Sequence, residues 1–594
     1  MTIEPRAEAP EEGSRAPSAG EDDLLTELAL AGAPAGPDIV AKIRADQDEL
    51  IRTPSEALLV IEGGPGTGKT MTALQRVAWL IDEGGIDAAK VLVVGPSAAF
   101  ARHTREVLDG WGHDAVEHRA IDALLPSVTA GRDEVPYVTR LKGEGRMARL
   151  LSRALEARPT GLPAELPSEI AVQGRSVPVN PVILRNVIAT ARASEATPGD
   201  RKRILRAVLA SGGDDPRLVL AAADALADLL WPSLEPTGFL RALFGSPEWL
   251  TAAAGDEFTE REISALHRLP ADDPGGEVWS DADLPLLDEA EHLLAGGPET
   301  YAHVVVDEAQ DLSPMQARAV ARRSATGSMT IVGDMAQSTG PWARDDWHDL
   351  LAHLPSSMPH VHRELRFGYR VPRQIFDLAA ELLPTAAPSV QAPTTVRDGP
   401  AEPSIMPVEP AGRAGAVVAA AMEHVAANRS VAIICPPRCR DEIVAWLDEE
   451  DLPWRPPSAS SAPGIVLLSP HEAKGLEFEA AIVVEPGFVV DEDPRGHRLL
   501  YIALTRATGH LHLVGAAEDL PAEFAAPGAA PVVVPEPAPE PEVALPETDL
   551  DPATREAIDM VAHAVAETLL ANLTPQLWPI ALERVVELIT PDPN

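Results

Sequence analysis

The segment GGPGTGKT, Gly63-Gly64-Pro65-Gly66-Thr67-Gly68-Lys69-Thr70, limits what this chain can be more than any other stretch. The apolar run LLVIEG (58–63) leads into it and reads as a buried strand, and a helical pattern follows. A glycine-rich turn between a strand and a helix lets successive backbone N–H groups curl around phosphate oxygens. Lys69 is spaced to reach the β- and γ-phosphates and Thr70 to hold Mg²⁺, while the helix N-terminus adds the positive end of its dipole. The expectation is a P-loop site for ATP with Mg²⁺.

Further apolar runs have the same character: VLVVGP (91–96), HVVVDE (303–308), MTIVGD (329–334), VAIICPP (431–437), AAIVVEP (480–486) and LHLVGA (511–516). Continuous apolar strands separated by helical stretches imply an α/β fold with parallel sheets covered on both faces. One run ends in VVVDEAQD (304–311). A carboxylate at a strand end completes Mg²⁺ coordination in a P-loop site, and Asp307 fits. Glu308 beside it is suited to polarise the attacking water. The bland alternative, a charged loop after a strand, is weakened by the P-loop already present.

DEAQD and the motifs around it resemble, in type and order, those of the UvrD/Rep-type superfamily 1 helicases. The resemblance implies two RecA-like lobes with ATP between them. It implies that Gln47, in IRADQDELI, reads adenine and that Gln337, in GDMAQST (333–339), senses the γ-phosphate. In FGYRVP (367–372), Tyr369 would stack on adenine and Arg370 contact the γ-phosphate. In HEAKGLEFEAAIVV (471–484), Glu477 would face the ribose; in YIALTRAT (501–508), Arg506 would be the arginine finger. A guanidinium on the spreading charge of a phosphoryl-transfer transition state is worth about 10³–10⁵ in rate. Carrying two of them on a second lobe makes cleft closure depend on ATP. Trp342, in QSTGPW, has two readings: stacking on a base of single-stranded DNA, or packing as a helix cap in PWARDDWHDLLAHLP.

Within that family the chain is most similar to the HelD-like branch that acts on RNA polymerase. The similarity lies in VLVVGPSAAFARH (91–103), RLKGEGRMARLLSRAL (140–155), DADLPLLDEAEHLL (281–294), DEAQDLSPMQ (307–316) and MAQSTGPWARDDW (335–347). There are two departures. About 100 residues separate Arg370 from His471, which leaves little room for the large extra domain of UvrD/Rep helicases. The roughly 40 residues before Gln47 are acidic and without heptads, so the branch's N-terminal coiled-coil arm is expected to be missing. Arg146, Arg149 and Arg153 share one helix face, joined by Arg140, Lys142 and Arg158 against Glu144 and Glu156. Arg201, Lys202, Arg203 and Arg206 form a second basic cluster. Contact with nucleic acid or an acidic channel is one reading; a solvated, acid-paired face is the other.

These signals divide the chain into segments. Residues 1–36 are expected to be a disordered acidic leader. The first, ATP-binding lobe takes 37–105 and 296–365, with a helical insert at 106–295. The second lobe takes 366–519, a Pro/Ala/Glu linker 520–548, and a helical tail 549–594. Lys+Arg number 49 against 91 Asp+Glu, a net charge of −42, which speaks against a general nucleic-acid coat and leaves room for a local basic groove or for mimicry of nucleic acid. With no signal peptide or membrane-length apolar run, the chain reads as soluble and cytoplasmic. Cys435 and Cys439, the sole cysteines, read as ordinary reduced thiols. The expected function is an ATP-driven motor that displaces or remodels nucleic acid or RNA polymerase complexes. The alternatives are a single-strand DNA translocase in repair and an ATP-gated binding factor.

Overall fold

A computed structural model describes residues 37–521 and Phe524, except 126–127, 129–130, 158–168, 173–174, 179, 183, 187–216, 218–219, 223, 227–234, 270–276, 356 and 458–462. The expected leader, nearly all of the linker, the tail 549–594, Arg158 and the cluster at 201–206 lie outside the described residues. All the described residues belong to the unit Met1–Val533.

Two six-stranded, wholly parallel sheets organise the chain. The first contains β1 (Leu58–Gly63), β2 (Val91–Gly95), β3 (Glu117–Ala120), β4 (His303–Val306), β5 (Met329–Gly333) and β6 (His360–Leu365), in the order β3-β2-β4-β5-β1-β6. The second contains β7 (Ser404–Pro407), β8 (Ser430–Ile434), β9 (Trp454–Arg455), β10 (Gly464–Leu468), β11 (Phe478–Val484) and β12 (Ala507–Gly515), in the order β7-β12-β11-β8-β10-β9. These are the two RecA-like lobes of an α/β protein.

The apolar runs explain both sheets. Successive side chains of a strand leave on opposite faces. In the first sheet Leu58, Val60, Leu92, Val94, Val304 and Val306 enter one core, and Leu59, Ile61, Val91, Val93 and Val305 enter the other. In the second, Ala432, Ile434, Val466 and Leu468 face one core, and Val431, Ile433, Ile465 and Leu467 the other. Each such Val, Leu or Ile contributes about 1.5–3 kcal/mol over its exposed state. Only helices on both faces can supply that burial, which fixes the layered build.

The expected insert boundary at residue 106 needs correction. The helix Ala98–Gly110 and β3 belong to the first sheet, because β3 pairs parallel with β2 from Leu92↔Glu117 to Gly95↔Ala120. EHRA is short and mostly polar, so it carries no strand signal. It serves because an edge strand needs partners on one side only. Beyond it, helices from Pro136–Gly143 to Leu284–Ala295 build a separate core around Met147, Leu150, Phe239, Phe244 and Leu287. The helix Pro314–Ala321 docks this core on the first lobe through Met315 and Ala319. The insert also holds an antiparallel strand pair, Glu169–Val172 with Arg175–Pro178, within a stretch whose sequence pattern reads as mostly helical.

From Arg370 to His471 the described residues build the second lobe itself: the helices Arg373–Ala380, Arg413–Ala426 and Pro437–Glu449 and strands β7 to β10. Cys435 and Cys439 are buried free thiols whose pKa values burial pushes up to about 12 and about 11, as suits unreactive core thiols. No helix among the described residues is long and apolar enough to cross a membrane.

Candidate active site

Strands β4, β5 and β1 are neighbours, so the segments leaving their carboxyl ends converge. The glycine-rich loop follows β1, Asp307 and Glu308 follow β4, and Asp334 to Gln337 follow β5.

The loop turns on two residues that need left-handed backbone, Gly66 (φ 68°) and Gly68 (φ 80°). A methyl group on Gly68 would stand 2.2 Å from the Tyr369 hydroxyl and 3.3 Å from Gln47 Nε2. On Gly66 it would stand 2.9 Å from Cβ of Arg370. Tyr369 N–H also donates to the Gly66 carbonyl at 3.0 Å. The turn is thus closed over by Gln47 of the helix Pro37–Ile51 and by residues 369–370. Pro393 lies against Gly64, while Gly63 faces Thr67, whose hydroxyl donates to the Gly64 carbonyl at 2.9 Å. Lys69 Nζ donates to the same carbonyl at 3.0 Å, so its ammonium is turned onto the loop's own backbone.

Thr70, at the start of the helix Lys69–Asp82, donates its hydroxyl to Asp307 Oδ2 at 2.5 Å. A hydroxyl and a carboxylate side by side at a phosphate-binding loop are the hard oxygen donors that Mg²⁺ takes. Burial, then the neighbouring charge of Glu308, pushes the Asp307 carboxyl up to about 6. Burial alone would raise Glu308 too, but Lys474, Lys69, Gln310 and Arg506 outweigh it and hold its carboxyl below the usual range. Two adjacent carboxylates are therefore driven apart, with Glu308 the readier to stay ionised. Glu308 has left-handed backbone (φ 52°), and Gln310 Nε2 donates to its Oε2 at 2.5 Å.

The second lobe reaches the same place. Arg506 is buried; its Nη2 points at Gln337 Oε1 (3.4 Å), and Nε and Nη1 donate to the carbonyls of Ile502 (2.9 Å) and Leu476 (3.1 Å). Gln337 Nε2 donates to Asp334 at 2.7 Å. Lys474 bridges the lobes by donating to the Gln337 carbonyl (2.5 Å) and to Asp311. Arg370 lies 3.6 Å from Glu477, half-exposed at the cleft. Of the residues singled out from the sequence, Gln47, Gly63 to Thr70, Asp307, Glu308, Gln337, Tyr369, Arg370, Glu477 and Arg506 are thus drawn to one cleft.

The other candidates are not. Arg146, Arg149 and Arg153 do share a face, but the face is occupied. Arg146 pairs with Glu144 and Glu262 and stacks on Phe258 at 4.3 Å. Arg149 pairs with Glu257 at 2.7 Å. Arg153 pairs with Glu257 too and donates to the carbonyls of Ala253 (2.6 Å) and Ala254 (3.0 Å), capping the helix Pro247–Ala254. The indole of Trp342 lies against Gly143 of the insert, with Arg140 5.6 Å above its ring. Each of these side chains has partners within the chain, although Arg149 stays 63% exposed and Trp342 is only partly buried, and Trp342 packs on the insert without capping a helix.

Sequence reasoning missed Lys474, though it lies within the HEAKGLEFEAAIVV motif, and Asp334, Gln310 and Arg498. Arg498 is buried and clamps the segment after Gln337 to the second lobe. It donates to the carbonyls of Ala386 (2.7 Å), Ser338 (3.1 Å) and Arg344 and pairs with Asp345 at 2.5 Å. Its partners are mostly backbone atoms more than 100 positions away, which leave no mark in a motif.

Fold and site together define a two-lobed P-loop enzyme, an ATP-hydrolysing, DNA helicase-like ATPase. Two family models match the chain: the UvrD/REP helicase N-terminal domain at residues 43–122 and 251–352, and the UvrD-like helicase C-terminal domain at 464–514. The chain thus carries both domain types of a UvrD/Rep-type helicase, and the break in the first match falls on the insert. No curated protein matches it. Among solved structures it is similar to the C-terminal domain of a possible DNA helicase from Lactobacillus plantarum WCFS1, 25% identical over 25% of this chain and 86% of that one, at a TM-score of 0.20. A score of that size says nothing about this fold.

Proposed function

We propose that the cleft binds Mg²⁺–ATP, that binding draws the two lobes together and hydrolysis lets them part, and that this cycle displaces or remodels nucleic acid or RNA polymerase complexes, as the HelD-like resemblance suggests. One observation carries the reading: the Thr70 hydroxyl and the Asp307 carboxylate meet at 2.5 Å across the foot of a glycine-rich loop. These two residues would hold the cation. Lys69 and the loop's N–H groups would bind the β- and γ-phosphates. Gln47 would bind the adenine edge, Tyr369 its face, and Glu477 the ribose. Bound Mg²⁺–ATP supplies the phosphoryl group to be transferred. Glu308, kept ionised by the lysines around it, orients the attacking water and accepts its proton. Arg370 and Arg506 reach in from the second lobe to neutralise charge on the γ-oxygens, and Gln337, already beside Arg506, reports γ-phosphate to both lobes.

The partner is read from the resemblance and from what the surface leaves available. The HelD-like resemblance supports an RNA polymerase-bound target, while the exposed Arg149 and the partly buried Trp342 leave single-stranded DNA as the second reading. The test is the ATPase rate of the purified protein alone, with single-stranded DNA, and with RNA polymerase core from the same organism, with Glu308→Gln as control. Stimulation by polymerase but not by DNA supports the proposal. Stimulation by DNA alone makes the protein a single-strand translocase, and a rate that neither moves makes it an ATP-gated binding factor.

A further inference from the structure

Behind the nucleotide loop lies a buried polar network that the hydrolytic reading leaves unused. Arg76 sits two turns along the helix Lys69–Asp82 and is wholly buried. Its Nη1 donates to the carbonyls of Leu50 (3.2 Å), Ile51 (3.1 Å) and Thr53, and its Nη2 to that of Pro54 (3.1 Å). Those carbonyls form the C-terminal end of the helix Pro37–Ile51 and the turn after it, the negative end of that helix's dipole. Arg76 Nε donates to Thr330 Oγ1 on β5 at 3.0 Å. All these acceptors are carbonyls or a hydroxyl, with no carboxylate among them. Thr330 in turn meets Nε2 of His303 on β4 at 3.0 Å. Burying a cation without a counter-charge is costly unless every donor is matched. Here the matching ties one helix end to the P-loop helix and to the two strands that lead into Asp307 and Asp334.

The helix held in this way carries Gln47, whose Nε2 faces Gly68 of the loop beside the Tyr369 hydroxyl. We propose that Arg76 is a positioning residue for base recognition: by gripping the end of the helix Pro37–Ile51 with its rigid fork, it sets where the Gln47 amide stands over the nucleotide loop, and so the preference for adenine over guanine. The inference rests on the reading of Gln47 as the residue that meets the base edge. A lysine at the same place would keep the charge but lose the fork, and with it the grip on several carbonyls at once.

The experiment compares kcat and KM for ATP and GTP in the wild type, Gln47→Ala and Arg76→Lys, with a thermal melt of each. Gln47→Ala is expected to lower the ATP-over-GTP preference in kcat/KM about three- to tenfold, the worth of one hydrogen bond. Arg76→Lys is expected to lower the same preference in the same direction, through KM. A wild-type preference in Arg76→Lys, with a lowered melting temperature and a shifted Gln47→Ala, would reduce Arg76 to a structural role and overturn the proposal. An unshifted Gln47→Ala would remove the base-edge reading instead. Should Arg76→Lys not fold, Thr330→Val deletes one acceptor at nearly constant shape. A smaller shift of preference then supports the proposal, and none overturns it.

Discussion

Lys69→Ala separates chemistry from folding. In the folded chain the Lys69 ammonium makes a side-chain hydrogen bond to the Gly64 carbonyl, worth about 0.5–1.5 kcal/mol net. It also lends positive charge to Asp307, Glu308 and Asp334, which are buried. That loss is cushioned at Glu308, where Lys474 and Arg506 remain. The total cost to stability is on the order of 1–2 kcal/mol, small against the roughly 5–15 kcal/mol of a typical domain. Catalysis should suffer far more. Deleting one preorganised donor from a site of developing negative charge costs about 10²–10³ in rate, and Lys69 would face the phosphates in both the bound and the transition state. The assay is steady-state phosphate release alongside a denaturant melt of the same preparation. Turnover within about twofold of wild type would refute the assignment of the phosphate site. Loss of the folded state would refute the packing argument that treats Lys69 as a loop residue and not a core one.

Other outcomes rest on the same structure. Arg498→Met keeps volume but strands the carbonyls of Ala386, Ser338 and Arg344, so it should cost at least about 1–3 kcal/mol, the penalty for a buried acceptor left without a donor; a denaturation midpoint that moves by less than the equivalent of about 1 kcal/mol would contradict that. The insert should be acid-sensitive. Hydrogen bonds from Arg149 and Arg153 hold Glu257 down to about 2, and one from Arg146 holds Glu262 there. A carboxyl depressed in the folded state stabilises above its unfolded pKa and loses that stabilisation as pH falls, here between about 4.5 and about 2. Solvent screens these exposed pairs, so the expected effect is a modest fall in the insert's resistance to limited acid proteolysis in this window. Glu257→Gln should already be as susceptible above it, and equal resistance of the variant would count against the pairing.

Much of the fold and of the nucleotide cleft was legible in the chain itself. The P-loop needs glycines where φ is positive, a lysine and a hydroxyl at fixed offsets, and a strand and helix on either side; all of these are local requirements and so are written locally. The same holds for Asp307 and Glu308 at the end of an apolar strand, and for the continuous Val, Ile and Leu runs that only a doubly covered parallel sheet can bury. What the tertiary structure alone decided is the fate of side chains whose partners lie far along the chain. Trp342 meets Gly143, Arg149 and Arg153 meet Glu257, and Arg498 meets carbonyls at 338 and 386. A basic helix face looks the same in sequence whether its acids come from elsewhere in the fold or from solvent and a partner, because pairing depends on distance in space. β3 stayed hidden for a related reason: EHRA is a strand only because β2 offers it an open edge. Arg76 is the sharpest case, since a lone arginine in LQRVAWL gives no hint that four backbone carbonyls and a threonine, brought together only by folding, surround it.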